Sequence, residues 1–243
     1  MMTTSITSSI HIGGRQRQSI NFSQTESFEE NRTKLRKSFI NSGHTVQIIS
    51  SSALTNKDII LLSKENISDK ALPSVLLGYN ITFMNSDFHA IGLKNINGGV
   101  ELYCPMLQST PFSYGKHGLT ILHFTPGILS KRCYLFADFM DYLAFASLKD
   151  TQKWYKNGDA IIVNSPDNYV ESLIESDVYE EVYSAFPNTE YGRYLFLTLK
   201  QRNQKTVNMM SENAFSPNIR ELLKVFYNDN STHNNSQNVN YEK

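Results

Sequence analysis

The stretch CYLFADFMDYLAFASL, residues 133–148, contains the pattern that decides the fold. Its first four residues form a short apolar run typical of a buried strand, and residues 141–148 have the apolar spacing of a helix. Two acids, Asp138 and Asp141, lie where the strand gives way to the helix. A strand that is followed at once by a helix predicts a βαβ unit, and hence a parallel sheet.

The residues that follow repeat this alternation. Apolar strand patterns occur at 160–163, 183–186 and 206–209, and helical patterns occur at 170–178, 192–201 and 219–227. Pro217 suits the first turn of the last of these helices. The alternation indicates an α/β domain over residues 129–228, in which helices flank a parallel sheet.

The preceding part of the chain, residues 45–128, has a different pattern. Strand patterns occur at 46–49, 75–80, 88–93, 100–103 and 119–124. Thr55 can cap a helix over 59–62, and 65–72 can form a second short helix. The turn Asn97-Gly98-Gly99 predicts a hairpin. We therefore expect a small α+β unit with an antiparallel sheet, which includes the strand at 119–124.

The two ends of the chain are polar. In residues 1–44 the spacing of Phe28, Leu35 and Phe39 fits a short amphipathic helix, so this segment is expected to be flexible or partly helical. Residues 229–243 have no apolar periodicity, and we expect a disordered tail there.

Composition excludes several classes of protein. The 23 basic residues balance the 23 acidic ones, so no global field draws the chain to nucleic acid or to an anionic membrane. No apolar run is long enough for a membrane helix, and the first residues lack a signal-peptide pattern, so we expect a cytoplasmic protein without membrane partners. Cys104 and Cys133 are too far apart for a zinc knuckle and are expected to be unrelated buried or half-buried thiols.

The strand ends resemble those of the Toprim domain in primase-like proteins of bacterial mobile elements. The resemblance rests on LFADFMDYL at 135–143, IIVNS at 161–165 and YGR at 191–193. Residues 90–102 are similar to the small sheet unit that precedes Toprim in those proteins. The resemblance covers roughly residues 46–228 and implies a Toprim-like parallel sheet.

The family's metal-ligand positions have changed in this chain. An active Toprim site resembles a magnesium clamp, with a Glu at the end of the first strand and an Asp-x-Asp at the end of the third. The corresponding positions here are Ala137, Pro187 and Thr189. The resemblance thus implies a site with no expected catalytic residue and no resident metal or other cofactor. The family's zinc ribbon is also missing, because the upstream region offers only His11 and His44 and no cysteine.

Three nearby acids could replace the lost ligands, namely Asp138, Asp141 and Glu190. A rebuilt magnesium site requires these carboxylates to converge on one ion. Against this, a shift of one residue at a strand end turns Asp138 to the other face of the sheet, and the helix dipole explains acids in the first turns of helices.

Cations near the strands are candidates for nucleic-acid binding. They are Lys131, Arg132, Arg193, Lys200 and Arg202, with Tyr191 and Tyr194 as possible stacking faces. These cations can equally be solvated surface residues. Of the histidines in the body, His117 and His123 have no evident carboxylate partner in the sequence.

Three functions remain open from the sequence. The first is a catalytically inactive Toprim-like module in the replication or mobilisation of a mobile element or phage, with nucleic acid or replication and mobilisation proteins as partners. The second is a metal-dependent phosphoryl-transfer enzyme, a nuclease or primase-like protein, with a relocated carboxylate site. The third is a protein-interaction module with no nucleic-acid role.

Overall fold

The structure is a computed structural model that describes residues 28–43, 45–149, 157–210 and 216–227. Helix α1 (Phe28–Asn41) is the amphipathic helix expected in the N-terminal segment. Leu35 and Phe39 are buried, and the ring of Phe39 packs edge-on against Phe83 and Phe112. This helix is therefore docked on the sheet that follows it. His11, His44 and the expected tail at 229–243 lie outside the described residues.

The first sheet is antiparallel, as predicted, with strands in the order of the chain. Its strands are β1 (Gln47–Ala53), β2 (Leu77–Phe83), β3 (Ser86–Lys94), β4 (Val100–Tyr103) and β5 (Phe112–Tyr114). Helix α2 (Asn56–Ser63) follows β1, and Asp58 in its first turn accepts hydrogen bonds from the backbone N–H and the hydroxyl of Thr55. The second helix expected over 65–72 is a single 3₁₀ turn, Asp69–Ala71.

The second sheet has the order β10-β9-β7-β8-β6. Its strands are β6 (Thr120–Leu122), β7 (Arg132–Phe136), β8 (Asp159–Ile162), β9 (Glu181–Ser184) and β10 (Val207–Asn208). Strands β7 to β10 are parallel, whereas β6 pairs antiparallel with β8. The expectation that the strand at 119–124 extends the first sheet is therefore wrong. The placement of a domain boundary after residue 128 stays a prediction.

Helices cover both faces of the second sheet. They are α3 (Phe139–Lys149), α4 (Tyr169–Ser176), α5 (Glu190–Arg202) and α6 (219–227). Side chains of β7 alternate between the faces, so Cys133 and Leu135 pack with α4 and α5, while Tyr134 and Phe136 pack with α3 and α6. The predicted fold class, a mainly parallel sheet flanked by helices and preceded by an antiparallel α+β unit, is confirmed.

One core joins the two sheets. Ile91 and Leu93 of the first sheet share a buried cluster with Phe136 of the second sheet and with Met140 of α3 and Leu223 of α6. Both cysteines are buried free thiols, as expected. Among the described residues no helix has the length and apolar character needed to cross a membrane.

Candidate functional site

The carboxyl ends of β7, β8 and β9 meet at one edge of the second sheet. The backbone N–H of Asn164 donates to the carbonyl of Ala137 at 2.9 Å, and the N–H of Ala185 donates to the carbonyl of Leu135 at the same distance. In a parallel sheet the side chains that follow the strands gather at this edge, where ligands bind in open α/β proteins. The predicted site residues that follow these strands are therefore expected at this edge.

Asp138 caps helix α3. Its Oδ1 accepts hydrogen bonds from the backbone N–H groups of Met140 at 2.9 Å and Asp141 at 3.0 Å. Ala137, one residue earlier, packs against the core beneath α4 and α5, whereas Asp138 contacts α6 on the other face. The turn at the end of β7 thus preserves the strand alternation, and Asp138 does not take the position of Ala137.

Asp141 and Asp138 converge on a cation that sequence reasoning missed. Arg220 of α6 donates from Nε to Oδ1 of Asp141 at 3.0 Å, and its terminal nitrogen lies 3.4 Å from Oδ2 of Asp138. The Asp141 side chain is only 2% exposed, and that of Arg220 is 19% exposed. The helix-dipole explanation for Asp141 is therefore incomplete, because this buried carboxylate also has a guanidinium partner.

Burial governs the electrostatics of this cluster. Burial and then the negative charge of Asp138 raise the pKa of Asp141 well above its usual value, although Arg220 acts in the opposite direction. Burial works against the charge of Arg220, but the two carboxylates outweigh it and raise the pKa of the guanidinium. The arginine is therefore a permanent cation between the two acids.

The third strand end is occupied by structural interactions. Thr189 caps α5, since its hydroxyl oxygen accepts the backbone N–H of Gly192 at 3.0 Å. Asn188 ties the strand end to the segment before α6 by donating from its backbone N–H to the carbonyl of Pro217 at 2.8 Å. Pro187 lies under the first turn of α5, where its carbonyl oxygen would be 1.9 Å from a Cβ added at Gly192.

Asn164 follows β8 with a φ of 64°. Its Nδ2 donates to the carbonyl of Gly118 and to the hydroxyl of Thr120, both at 3.0 Å. Its Oδ1 is buried and has no hydrogen-bond partner in the described part of the chain. Asn164 therefore links the site edge to the residues that begin β6.

The three candidate replacement ligands do not meet. Asp138 and Asp141 share Arg220, whereas Glu190 is exposed in the first turn of α5. In the part of the chain that the structure describes, no three His, Cys, Asp or Glu side chains are grouped so that they could hold a metal ion. A magnesium ion does not fit this arrangement, because the guanidinium already occupies the space between the two adjacent acids.

The five cations predicted to bind nucleic acid are dispersed. Lys131 pairs with Glu180 at 3.3 Å, and Arg132 pairs through two nitrogens with Glu181 at 2.6 and 2.9 Å. Both precede or begin β7, at the sheet edge opposite the strand ends.

The other three cations belong to α5. Arg202 pairs with Asp177, with its Nε 2.7 Å from Oδ1. Arg193 and Lys200 are exposed, and no carboxylate among the described residues lies within ion-pair distance of either; Lys200 Nζ lies 5.6 Å from the ring centre of Phe196. The structure thus leaves two of the five predicted cations unpaired, and their role stays a prediction.

A second buried acid lies at the opposite edge of the sheet. Asp159, at the start of β8, is hydrogen bonded to His123 Nδ1 at 2.9 Å and accepts from the backbone N–H of Phe124 at 2.9 Å. It also accepts from the hydroxyl of Tyr179 at 3.1 Å. The expectation that His123 lacks a carboxylate partner is wrong, because the partner lies 36 residues away in the chain.

Comparison with solved structures finds chains that are similar to this one. The primase fragment of the bacteriophage T7 primase-helicase protein is 13% identical to this chain, with a TM-score of 0.47, and the match covers 74% of this chain and 71% of that one. No family model and no curated protein matches the chain.

Proposed function

We propose that this protein is a catalytically inactive Toprim-like module that acts in the cytoplasm as a binding or accessory component in replication or mobilisation of a mobile element or phage. The resemblance of the strand ends to Toprim supplies the biological setting. The observation that carries the inactivity is Arg220, whose guanidinium joins Asp138 and Asp141, the two acids nearest to the changed ligand position at Ala137.

The charges of the cluster support this proposal. A divalent cation is attracted to clustered carboxylates and needs several oxygen ligands. Here one permanent positive charge already lies between the two acids. Oδ1 of Asp138 also accepts two hydrogen bonds from the backbone of α3. Displacing Arg220 would leave a largely buried cation unpaired, which costs about 3 kcal/mol or more.

Calorimetric titration of Mg²⁺ and Mn²⁺ into the purified protein tests the proposal. We expect no stoichiometric binding to the native chain or to Glu190→Ala. Arg220→Met removes the internal cation, and this variant is expected to bind Mn²⁺ more strongly than the native chain does. The double variant Arg220→Met/Asp138→Asn is expected to lose that added Mn²⁺ binding. Circular dichroism of each variant shows whether it is folded.

The opposite result would favour the relocated enzyme site. Stoichiometric metal binding by the native chain that is lost in both Asp138→Ala and Glu190→Ala would mean that these carboxylates converge on an ion in solution. The phosphoryl-transfer alternative would then replace the inactive module.

One observation favours the protein-interaction alternative. Large apolar side chains are exposed on the outer surfaces of α4 and α5, among them Ile174, Tyr194 and Leu197. Contiguous exposed apolar surface marks protein contacts more often than contacts with a phosphate backbone. A single-stranded oligonucleotide titrated at low and high salt distinguishes the alternatives, because phosphate contacts weaken steeply with salt.

A further inference from the structure

Helices α4 and α5 lie side by side on one face of the second sheet. Tyr169, at the start of α4, donates its hydroxyl proton to the carbonyl of Leu195 in α5. Asp177, directly after α4, pairs with Arg202 at the end of α5. Each helix follows a strand of the parallel set, so the two helices run in the same direction. Together they form one outer surface.

The centre of this surface is apolar. Its residues are between 48% and 66% exposed: Val170 and Ile174 of α4, Val178 two residues after the end of that helix, and Tyr191, Tyr194 and Leu197 of α5. The spacing of four residues between Val170 and Ile174, and of three in α5, places these side chains on one face of each helix. We call these six residues the α4–α5 face.

The two flanks of the α4–α5 face have opposite charges. Because Asp177 faces α5, a rotation of about 100° per residue puts Glu171 and Glu175 about 120–160° away, on the side of α4 remote from α5. By the same reasoning from Arg202, Arg193 and Lys200 lie about 160–180° away, on the side of α5 remote from α4. The surface thus runs from an acidic flank through an apolar centre to a basic flank.

This arrangement is complementary to itself. A two-fold axis parallel to the helices places α4 of one copy over α5 of the other. The apolar halves then face each other, and the acidic flank formed by Glu171 and Glu175 meets the basic flank formed by Arg193 and Lys200, twice in the same interface. We propose that the α4–α5 face is a self-association surface, through which two copies of this chain form a symmetric dimer.

The alternative occupant, single-stranded nucleic acid, fits the face less well. Nucleic acid would need cations at the centre, but Arg193 and Lys200 lie on one flank, and Glu171 and Glu175 would repel phosphates from the other. The self-association proposal goes beyond the inactive-module proposal and does not depend on it, since Arg220 lies on the opposite face of the sheet.

Sedimentation velocity over a range of concentrations, with the full chain, tests the proposal. We expect the native protein to show the mass of two chains, and Ile174→Asp to raise the dissociation constant of the dimer at least tenfold. The matched control is Ile60→Asp, which places the same charge on an equally exposed isoleucine of α2. The control is expected to remain dimeric, and circular dichroism checks that both variants are folded.

Two charge-reversal variants test whether the acidic flank of one copy meets the basic flank of the other. Glu171→Lys/Glu175→Lys and Arg193→Glu/Lys200→Glu are each expected to be monomeric, because like charges then meet at both ends of the interface. When the two variants are mixed, opposite charges meet again, and a heterodimer is expected.

Three results would overturn the proposal. They are a native chain that stays monomeric at every concentration, a dimer unaffected by Ile174→Asp, and reversed variants that do not pair when mixed. A monomeric native chain whose salt-sensitive binding of a single-stranded oligonucleotide is lost in Arg193→Glu/Lys200→Glu would instead assign the surface to nucleic acid.

Discussion

At the scale of single residues, two buried acids organise opposite edges of the second sheet. Asp141 is paired with Arg220 at the carboxyl edge, and Asp159 is held by hydrogen bonds at the amino edge. Burial of an ionised carboxylate costs free energy unless the carboxylate is paired. The stability of the fold therefore depends on the partner of each acid. The two partners, Arg220 and His123, come from distant parts of the chain.

Asp159→Asn is expected to destabilise the fold by about 2 kcal/mol at pH 7, since it removes a buried charged acceptor that several donors share. Burial opposes ionisation of this carboxyl, but hydrogen bonds from His123, Phe124, Ser130 and Tyr179 outweigh it and lower its pKa. Because the folded pKa lies below the unfolded one, this stability is present above about pH 4 and is lost as the pH falls through the folded pKa.

Urea denaturation at pH 7 and at about pH 3 checks this expectation. The difference in unfolding free energy between native protein and Asp159→Asn should shrink at the lower pH. Asp87→Asn is the control, because Asp87 is exposed near the start of β3. An equal loss at both pH values would contradict the proposed charge effect.

At the scale of elements, the packing of α5 against the end of β9 depends on a close backbone contact. A Cβ at Gly192 would lie 1.9 Å from the carbonyl oxygen of Pro187, a backbone atom that cannot rotate away. The glycine in the sequence YGR is therefore required by the approach of helix and loop. The backbone N–H of Gly192 also donates to the hydroxyl of Thr189, which caps α5.

Gly192→Ala is expected to lower the unfolding free energy by about 2 kcal/mol, although alanine is the better helix former by about 1 kcal/mol, because overpacking a rigid contact costs more. Thermal and urea denaturation measure the change. Gln201→Ala, on the exposed side of the same helix, should change stability by less than about 0.5 kcal/mol. A stabilised Gly192→Ala would show that the contact relaxes without cost.

At the scale of the whole molecule, the shared core couples the two sheets. Ile91 and Leu93 project from the first sheet into the cluster that contains Phe136 of the second, and Ser147 of α3 accepts the backbone N–H of Ser68 at 2.9 Å. Neither sheet covers this cluster alone. The backbone amides of the two sheets should therefore lose their protection from hydrogen exchange together.

Leu93→Ala is expected to destabilise both sheets by the same amount, about 3 kcal/mol, because it opens a cavity in the shared core. Hydrogen exchange at increasing urea, followed separately on peptides from β2–β3 and β7–β8, measures each sheet. Ile49→Ala, at an exposed position of β1, serves as the control. If only the β2–β3 peptides lose protection, the sheets are independent and the expectation is wrong.

Local patterns account for most of what could be predicted. The strand and helix periods of residues 133–148, the Thr55 cap and the glycine turn at Gly98 involve residues a few positions apart, and the structure contains all of them. The 3₁₀ turn at Asp69–Ala71 shows the limit of that reasoning, since the short segment has too few turns to sustain a helix.

The alternation of strands and helices, and hence the α/β class, follows from local patterns in the sequence, because hydrophobic period and capping act within a few residues. The pairing of β6 with β8 and the position of Arg220 between Asp138 and Asp141 follow from long-range contacts. A three-residue strand fits the edge of either sheet, and Arg220 lies 79 residues from Asp141 along the chain. Such contacts depend on which surfaces the folded chain brings together, and no local pattern encodes them.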